Sequence, residues 1–260
     1  MNRSELTTNS FWQSEVVVFS LSILATFEIV FWLCNGFLIF IETFDIPSID
    51  QYRIQKQKKK LRFQPELVRF IIKQTIRHQI SLILFTPGLY YVLNLFGHVE
   101  IFGPRPAWST ILFQLAMFIL AEDALFFWTH YLFHTPWLYQ KIHKKHHLYT
   151  QPTGVVSVLS DPWENLQNQL SIWLLPMFFK EKHLFTLCLW MIIRVYQTVN
   201  AHSGYDLPYV STQYWFSWVM SGALGHDFHH QHGKWNYGSF FNIWDRLMGT
   251  YRSTSSKEID

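Results

Sequence analysis

The sequence predicts an all-α integral membrane helical bundle that carries a histidine-rich site outside the lipid. The chain of 260 residues is 49% hydrophobic and only 15% charged, whereas an average soluble domain carries roughly 25% charged residues. Apolar runs long enough to form membrane helices recur along it. Its polar chemistry is concentrated in histidines, because eleven of the thirteen fall between positions 130 and 232.

The first half of the chain contains three long apolar runs. Residues 15–42 are almost wholly apolar apart from Glu28, and roughly 20 helical residues suffice to cross a bilayer core. A carboxylate inside such a run is costly in lipid, so we expect Glu28 to face protein or water. The second run covers residues 79–102, with an interrupting Pro-Gly pair, and the third extends from about residue 107 to 127.

A basic segment separates the first two runs. The stretch QYRIQKQKKKLR has six Lys or Arg residues from Arg53 to Arg62, and short basic loops stay in the cytosol. The same lysines would also suit a solvated linker. We therefore expect the second and third runs to form a hairpin that returns to the cytosolic side. Residues 1–119 are predicted to be membrane-anchoring helices and a basic cytosolic linker.

The later part of the chain has two shorter apolar arms, within residues 166–199, on either side of a polar break at 180–183. Each arm has about 14 residues, or roughly 21 Å of helix, which is short of a full crossing. Re-entrant, interfacial and packed positions all remain open for them. Residues 253–260 are predicted to be a polar tail.

Three histidine boxes carry the chemistry. They are HYLFH at residues 130–134, HKKHH at 143–147 and HDFHH at 226–230. Residues three and four apart share one face of a helix, so each box should turn its imidazoles toward one point. Thr135 and Pro136 should end the helix that carries the first box. Three such boxes in a chain this poor in charge predict a metal site, since neutral imidazole is the commonest protein ligand.

The number of imidazoles limits which metal ions the site is expected to hold. A structural zinc takes four ligands and a catalytic zinc usually three, so eight box histidines are too many for one zinc. The chain has no HExxH motif and no Glu-x-x-His pair of carboxylate-rich di-iron bundles. Two adjacent iron ions with positions left open for dioxygen suit this set, although imidazole also accepts zinc and copper. We leave His232 outside the ligand set.

The boxes and their flanking sequences resemble one family. The segments are EDALFFWTHYLFHTPWLYQKIHKKHH, NAHSGYDLP and NYGSFFNIWDRLMGT, together with HDFHH. Over about residues 120–252 they resemble the fatty acid hydroxylase, or sterol desaturase, superfamily of membrane oxygenases. Within it, HSGYD is similar to methylsterol monooxygenases and cholesterol 25-hydroxylases, and PWLY, QYRIQ and GTYR lean toward the 25-hydroxylases. Asp161 replaces a histidine common in methylsterol oxidases, leaving Glu164 as the match, and Tyr131 replaces an arginine common in box one.

The resemblance implies a catalytic domain over residues 120–252 and a ligand set for two iron ions. The implied catalytic histidines are His130, His134, His143, His146, His147, His226, His229 and His230. His202 in HSGYD matches a further family histidine and is the ninth implied metal ligand. Three acids are candidates to support these ligands. Asp123 would either hydrogen-bond a ligand or cap the membrane segment, Asp206 would support the centre or itself be a ligand, and Asp227 would face solvent or a neighbouring lysine.

The resemblance also implies the reaction and its partners. A sterol or other lipid would be hydroxylated at a C–H bond with dioxygen as co-substrate. The chain has no GxGxxG nicotinamide or flavin motif, so electrons should come from an external NAD(P)H-dependent chain, through a b-type cytochrome and its reductase. The implied location is the endoplasmic reticulum membrane, with the boxes on the cytosolic side. Lys141, Lys144, Lys145 and Lys234 would dock the cytochrome or hold this face at the anionic leaflet.

Other functions remain open at this stage. The same metal pair would serve a fatty acyl hydroxylase or a desaturase. A membrane metal transporter is less favoured, because transporters place ligands at the bilayer midplane, whereas these boxes follow the ends of apolar runs. A scaffolding role is a third alternative. The net charge of +3 is too small to suggest a nucleic-acid partner, and the oligomeric state is not predicted.

Overall fold

The computed structural model describes residues 14–56 and 65–253, and it confirms the all-α membrane bundle. The long helices are α1 (Glu15–Thr43), α3 (Pro65–Leu95), α4 (Trp108–Phe133), α6 (Pro162–Phe178) and α7 (Leu184–Ala201). The short ones are α2 (Pro47–Asp50), α5 (Pro136–Lys141), α8 (Thr212–Phe216), α9 (Ala223–His232) and α10 (Ile243–Leu247). Two 3₁₀ helices, His143–Leu148 and Gly154–Val158, and two strands, β1 (His98–Glu100) and β2 (Glu181–His183), complete the described part.

Three helices of the described residues are long and apolar enough to cross a membrane, judged by length and composition: α1, α4 and α7. The first two correspond to the first and third predicted runs. The prediction for residues 79–102 was wrong in extent, because α3 continues through Pro87 and ends at Leu95, and it is not among these three. The arm that forms α7 was also underestimated. It stays helical over 18 residues, or about 27 Å.

The bundle packs around α1 and α7. Helix α1 lies along α7 and α3, and α4 lies along α6, so the predicted hairpin partners α3 and α4 each pack mainly on other helices. Phe31 of α1, Leu93 of α3 and Trp190 of α7 are buried in one apolar core. Glu28 accepts hydrogen bonds from Trp32 Nε1 at 2.8 Å and from Gln79 Nε2 of α3 at 2.9 Å. This confirms the expectation that the carboxylate faces protein.

Strands β1 and β2 form a short parallel sheet. In the chain, β1 lies between α3 and α4, and β2 lies between α6 and α7. Val99 of β1 is paired with Lys182 of β2, at the polar break that was predicted between the two apolar arms. The sequence did not predict the strands. Gly97 permits the approach, because a Cβ at this position would lie 2.4 Å from the carbonyl oxygen of Lys180.

The described part of the basic segment is fastened to the HSGYD stretch rather than solvated. The Ile54 amide donates to the Gly204 carbonyl at 3.1 Å, and the Asp206 amide donates to the Tyr52 carbonyl at 3.0 Å. Arg53 is buried and lies over the Tyr205 ring at 4.8 Å. Its charge is balanced by Asp50 at 2.7 Å and by Glu42 at 3.5 Å. Residues 57–64 and 254–260, with the lysine run and most of the polar tail, lie outside the described residues.

Candidate metal centre

The nine predicted ligand histidines meet in two adjacent groups. Within each group, one ring nitrogen of every member lies within 4.8 Å of those of the others. The first group is His130, His134, His143, His147 and His229, and the second is His146, His202, His226 and His230. Eight of the nine side chains are buried and His134 is half-buried. The two groups adjoin, with the rings of His147 and His230 only 4.7 Å apart.

The first box lies at the end of a membrane helix. His130 is in the last turn of α4, and His134 is its C-terminal cap. Helix α5 begins at Pro136, which confirms that the Thr-Pro pair ends the first helix. This break directs the chain back toward the centre, and the Nε2 atoms of His130 and His143 are 3.2 Å apart.

The second and third boxes each supply both groups, so the expectation that every box aims at one point was wrong for these two. His143 and His147 belong to the first group, whereas His146 between them belongs to the second. The second box forms a tight 3₁₀ turn rather than an α-helix, which turns successive imidazoles in different directions. Helix α9 divides its box in the same way, because His229 belongs to the first group and the other two members belong to the second.

The spacing of the nitrogens fits shared metal ions. Nitrogens that each lie about 2.1 Å from one ion, at right angles to each other, are about 3.0 Å apart. In the first group the Nε2 separations are 3.2 Å for His130–His143, 3.0 Å for His143–His147 and 3.1 Å for His147–His229. In the second they are 3.3 Å for His146–His202, 3.0 Å for His202–His226 and 3.2 Å for His226–His230.

Five of the nine histidines form a hydrogen bond through Nδ1, the ring nitrogen that points away from the centre. The Nδ1 atoms bond to backbone carbonyls in four cases: His130 to Tyr237 at 2.9 Å, His229 to Trp235 at 2.7 Å, His146 to Leu159 at 3.1 Å and His202 to Thr198 at 2.8 Å. In the fifth, His143 Nδ1 bonds to Glu164 Oε1 at 2.9 Å. An imidazole that donates from Nδ1 presents the Nε2 lone pair to the centre, which is the arrangement of metal-bound histidines.

The electrostatics of the site favour unprotonated rings. Burial lowers the pKa of His134 and of His146 to about 4, and that of His202 to about 3. The His146 imidazole and the Arg194 guanidinium lower the pKa of His202 further. A histidine must be neutral to bind a metal, so these rings are ready ligands at neutral pH. Burial also raises the pKa of the Glu164 carboxyl well above its usual range.

Asp123 has neither of the two roles expected from the sequence. Its Oδ1 accepts the amide protons of Phe240 and Phe241 at 2.7 and 3.0 Å, and its Oδ2 accepts from Trp244 Nε1 at 3.1 Å. The carboxylate is buried, so it does not cap α4 at an interface. Its three hydrogen bonds go to residues 240–244 and none goes to a ligand histidine. It anchors the segment that follows α9, from which the Tyr237 carbonyl reaches the first group.

That segment leaves α9 through a left-handed turn. Gly233, Trp235 and Asn236 have φ values of 60°, 58° and 53°. Glycine and asparagine adopt this conformation readily, but it costs a bulky residue such as tryptophan roughly 1–2 kcal/mol. The strained turn is held because Asn236 Oδ1 accepts the Arg252 amide proton at 2.9 Å. It aims the Trp235 carbonyl at His229.

Two other predicted acids differ from expectation. Asp227 is fully buried instead of facing solvent, and it accepts from Gln55 Nε2 at 2.5 Å and from Gln231 Nε2 at 3.3 Å. Asp206 belongs to neither histidine group. Its backbone amide donates to the Tyr52 carbonyl. The position of Glu164, taken from the family match, is the one that contacts a ligand histidine directly. His232 is exposed and stacks on Phe228.

The four predicted docking lysines are exposed on the side of the second and third boxes. Lys145 is engaged with Asp161 at 2.5 Å. Asp161 also caps α6, where its Oδ1 accepts the Trp163 amide proton at 3.2 Å. This contact fixes the start of the helix that carries Glu164.

A cavity that we call the inner chamber lies beside the histidines, and most of the residues that line it are polar. Five ligand histidines face it, with Ser157, Ser160, Gln167, Asn168, Arg194, Gln197 and Thr198. Its large apolar side chains are Phe126 and Phe133. Arg194 is buried and paired with Glu122 of α4, Nε to Oε1, at 2.7 Å.

A second cavity, the outer chamber, adjoins the inner one and is mainly apolar. Its apolar lining is Phe27, Phe31, Leu82, Val158, Ile172, Met191, Val195 and Val199. Five residues line both chambers: Ser157, Ser160, Asn168, Arg194 and Thr198. Gln169 lines the outer chamber and also an apolar groove between α3 and α6. The cavities therefore adjoin one another from the side of the bundle to the histidines.

Sequence reasoning missed several residues that shape this site. The carbonyl acceptors at Leu159, Thr198, Trp235 and Tyr237 leave no side-chain signal. The Glu122–Arg194 pair was detectable in principle, because two acids at the end of an apolar run and an arginine inside another are both costly in a membrane unless paired.

Comparison with known proteins places the chain in a family. The family model described as fatty acid hydroxylase matches residues 115–250, just over half of the chain. A very-long-chain aldehyde decarbonylase of Oryza sativa subsp. indica is 33% identical over 92% of this chain and 90% of its own. Methylsterol monooxygenase 2-2 of Arabidopsis thaliana is 32% identical over 92% of this chain and 90% of its own.

Methylsterol monooxygenase erg25A of Aspergillus fumigatus is 30% identical over 96% of this chain and 83% of its own. No solved structure matches the chain. The family match, these relatives and the membrane helices support an oxidoreductase that acts on lipids. The chain belongs to the fatty acid hydroxylase family.

Proposed function

We propose that the protein is a membrane-bound non-haem di-iron monooxygenase that hydroxylates a sterol, with oxidation of a C-4 methyl group as the favoured reaction. The main supporting observation is the pair of adjacent imidazole groups, with five and four members, beside the inner chamber, which adjoins the apolar outer chamber. The relatives named methylsterol monooxygenases support the sterol class. Hydroxylation of the sterol side chain at C-25 is the alternative within the same class.

The nine histidines would hold two iron ions, one in each group. Iron bound there would activate dioxygen, so that one oxygen atom enters a C–H bond of the lipid and the other leaves as water. The protein's own contribution is positioning. Glu164 and the backbone carbonyls fix the ring tautomers, and the Phe126 and Phe133 side chains shield part of the chamber beside the histidines from water.

The electrons for this reaction would come from outside the chain. We propose a b-type cytochrome and its NAD(P)H-dependent reductase as the donors. Lys141, Lys144 and Lys234 are exposed near the second and third boxes, and they would offer positive charge to an acidic cytochrome. The protein would then lie in the endoplasmic reticulum membrane, with the histidine centre on the cytosolic side.

The test is oxygen-dependent turnover by purified protein. Iron-loaded protein with the cytochrome, the reductase, NAD(P)H and a 4,4-dimethylsterol should consume dioxygen and yield a 4-hydroxymethyl sterol, detected by mass spectrometry. His146→Ala should abolish the product, whereas His232→Ala, which changes an exposed histidine outside both groups, should not. A 25-hydroxysterol as the product would replace the favoured reaction by its alternative. Vectorial metal flux without oxygen consumption would contradict the proposal and support a transporter.

A second candidate reaction has its own support. Relatives from Oryza sativa are named very-long-chain aldehyde decarbonylases, so a long-chain aldehyde is the alternative substrate. The same preparation, given a very-long-chain aldehyde, distinguishes the two, since a hydrocarbon product would favour this second candidate. Fatty acyl hydroxylation or desaturation would appear as a hydroxylated or unsaturated acyl chain in the same measurement.

A further inference from the structure

We infer that the lipid enters with its polar end first, and that Asn168 binds an uncharged hydroxyl or carbonyl oxygen next to the carbon that is oxidised. This inference rests on the proposed function. It adds the orientation of the substrate and the residue that recognises it.

We infer the orientation of the lipid from the change in polarity along the cavities. The groove between α3 and α6 is lined by apolar side chains such as Leu89, Val92 and Leu174, and the outer chamber continues with Phe31 and Met191. Polar residues become more frequent toward the histidines: they share the wall of the outer chamber with apolar side chains, and they make up most of the lining of the inner chamber. An apolar chain end placed there would leave the Asn168 amide without a hydrogen-bond partner, which costs free energy. The apolar body of the lipid therefore fits the outer cavities, and its polar end fits the inner one.

Asn168 is placed to recognise that end. Its side chain lies on the wall that the two chambers share. It is one helical turn along α6 from Glu164, about 6 Å along the axis, and Glu164 holds His143 of the first histidine group. The neighbouring Gln167 amide is already engaged with Thr129 and Ser171, both at 2.6 Å. Among the described residues the Asn168 amide has no hydrogen-bond partner, so it is free to bind an oxygen atom.

The charges of the inner chamber favour an uncharged oxygen. Arg194 is the cation on its wall, and Glu122 already balances that charge at 2.7 Å. Arg194 also donates to Thr198 Oγ1. A substrate carboxylate would enter this buried space without a free counter-charge, and its desolvation would be costly. A hydroxyl or carbonyl group needs only a hydrogen bond, which the Asn168 amide can donate or accept.

The oxidised carbon therefore lies within a few bonds of an oxygen atom. A methyl group next to the hydroxyl of a sterol meets this requirement, and so does the first carbon of a long-chain alcohol or aldehyde. The distant apolar end of either lipid does not.

Binding measured without turnover tests the inference. Iron-loaded protein under anaerobic conditions would be titrated with two probe pairs: a 4,4-dimethylsterol with its 3-deoxy analogue, and a long-chain 1-alcohol with the matching alkane. We expect the oxygen-bearing member of at least one pair to bind roughly tenfold more tightly, the value of one good hydrogen bond. The pair that shows the preference identifies the lipid class.

Variants of α6 assign the preference to one residue. Asn168→Leu keeps the volume but removes the hydrogen bond, and it should reduce the preference to below about twofold, with KM raised more than kcat is lowered. Asn168→Gln should restore part of it. Asn165→Leu is the matched control, because this residue lines the outer chamber but not the inner one, and it should keep the preference.

The outcomes separate this inference from the proposed function. Equal binding within both pairs, or a preference that survives in Asn168→Leu, overturns the inference. If Asn168→Leu does not fold, Asn168→Ala, which also removes the hydrogen bond, supplies the same comparison. Failure of the iron-loaded protein to consume dioxygen overturns the proposed function instead, and it does not affect a lipid preference measured without turnover.

Discussion

Glu164 Oε1 lies 2.9 Å from His143 Nδ1, and both side chains are buried. The contact links α6 to the 3₁₀ turn of the second histidine box. His143 is also the residue whose Nε2 lies within 3.2 Å of both His130 and His147. One carboxylate therefore orients the ring in the middle of the first group.

Glu164→Ala should weaken metal binding by about 10–100-fold, because partners of metal-bound histidines contribute this much. Glu164→Gln keeps an acceptor oxygen and should lose less. The measurement is the iron content of purified protein by mass spectrometry against a competing chelator. Glu66→Gln is the matched control, since Glu66 also lies in the first turn of a long helix but is exposed. Iron affinity that is unchanged in Glu164→Ala would contradict the assigned role.

His226→Ala should lower the iron content of the protein by about half, because it leaves three imidazoles in the four-membered group and four-coordinate metal sites lose affinity steeply with a lost ligand. The five-membered group keeps its full set. His232→Ala on the same helix is the control, and its iron content should match that of the wild type. A His226→Ala protein with full iron occupancy would show that the second group is not a metal site.

Asp123→Asn should destabilise the protein by about 1–3 kcal/mol. The carboxylate accepts three N–H groups, and the asparagine NH2 group would face at least one of them, donor against donor. The loosened segment should also release iron faster, because it carries the Tyr237 carbonyl that orients His130. Thermal unfolding in detergent and the rate of iron loss to a chelator measure the two effects. Glu181→Gln, at an exposed position, should change neither. Wild-type values for Asp123→Asn would argue against this anchor.

The metal-free protein should lose stability as the pH falls from about 6.5 to 4. The pKa of His134 and of His146 is about 4 in the folded state, against about 6.5 in an unfolded chain. Between these values the unfolded state binds protons that the folded state does not, so lowering the pH favours unfolding by up to about 1.4 kcal/mol per histidine and pH unit. Thermal unfolding temperatures measured from pH 7.5 to 4.5 test this slope.

The control for that slope is the double variant His134→Ala and His146→Ala. It lacks two of the shifted groups, so its unfolding temperature should depend less steeply on pH. A slope that is identical in the variant and the wild type would mean that these two imidazoles do not carry the effect.

The sequence by itself determined the class of fold and the members of the candidate centre. Low charge and long apolar runs dictate a membrane bundle, because a helix satisfies its own backbone hydrogen bonds in lipid. Histidines at helical spacing, with a Thr-Pro break between the first two boxes, indicated eight of the nine residues that gather in the structure, and the family resemblance of the HSGYD stretch indicated the ninth, His202. Local patterns suffice for these features, since each depends on residues close together in the chain.

Only the tertiary structure decided how the nine histidines divide and what holds them. His146 and His147 are adjacent in sequence but lie in different groups, because a 3₁₀ turn, not an α-helix, carries them. Asp123 serves a segment more than a hundred residues away rather than its neighbour His130. The carbonyls that orient the rings carry no sequence signal. Such contacts arise from packing between distant segments, and no local periodicity encodes them.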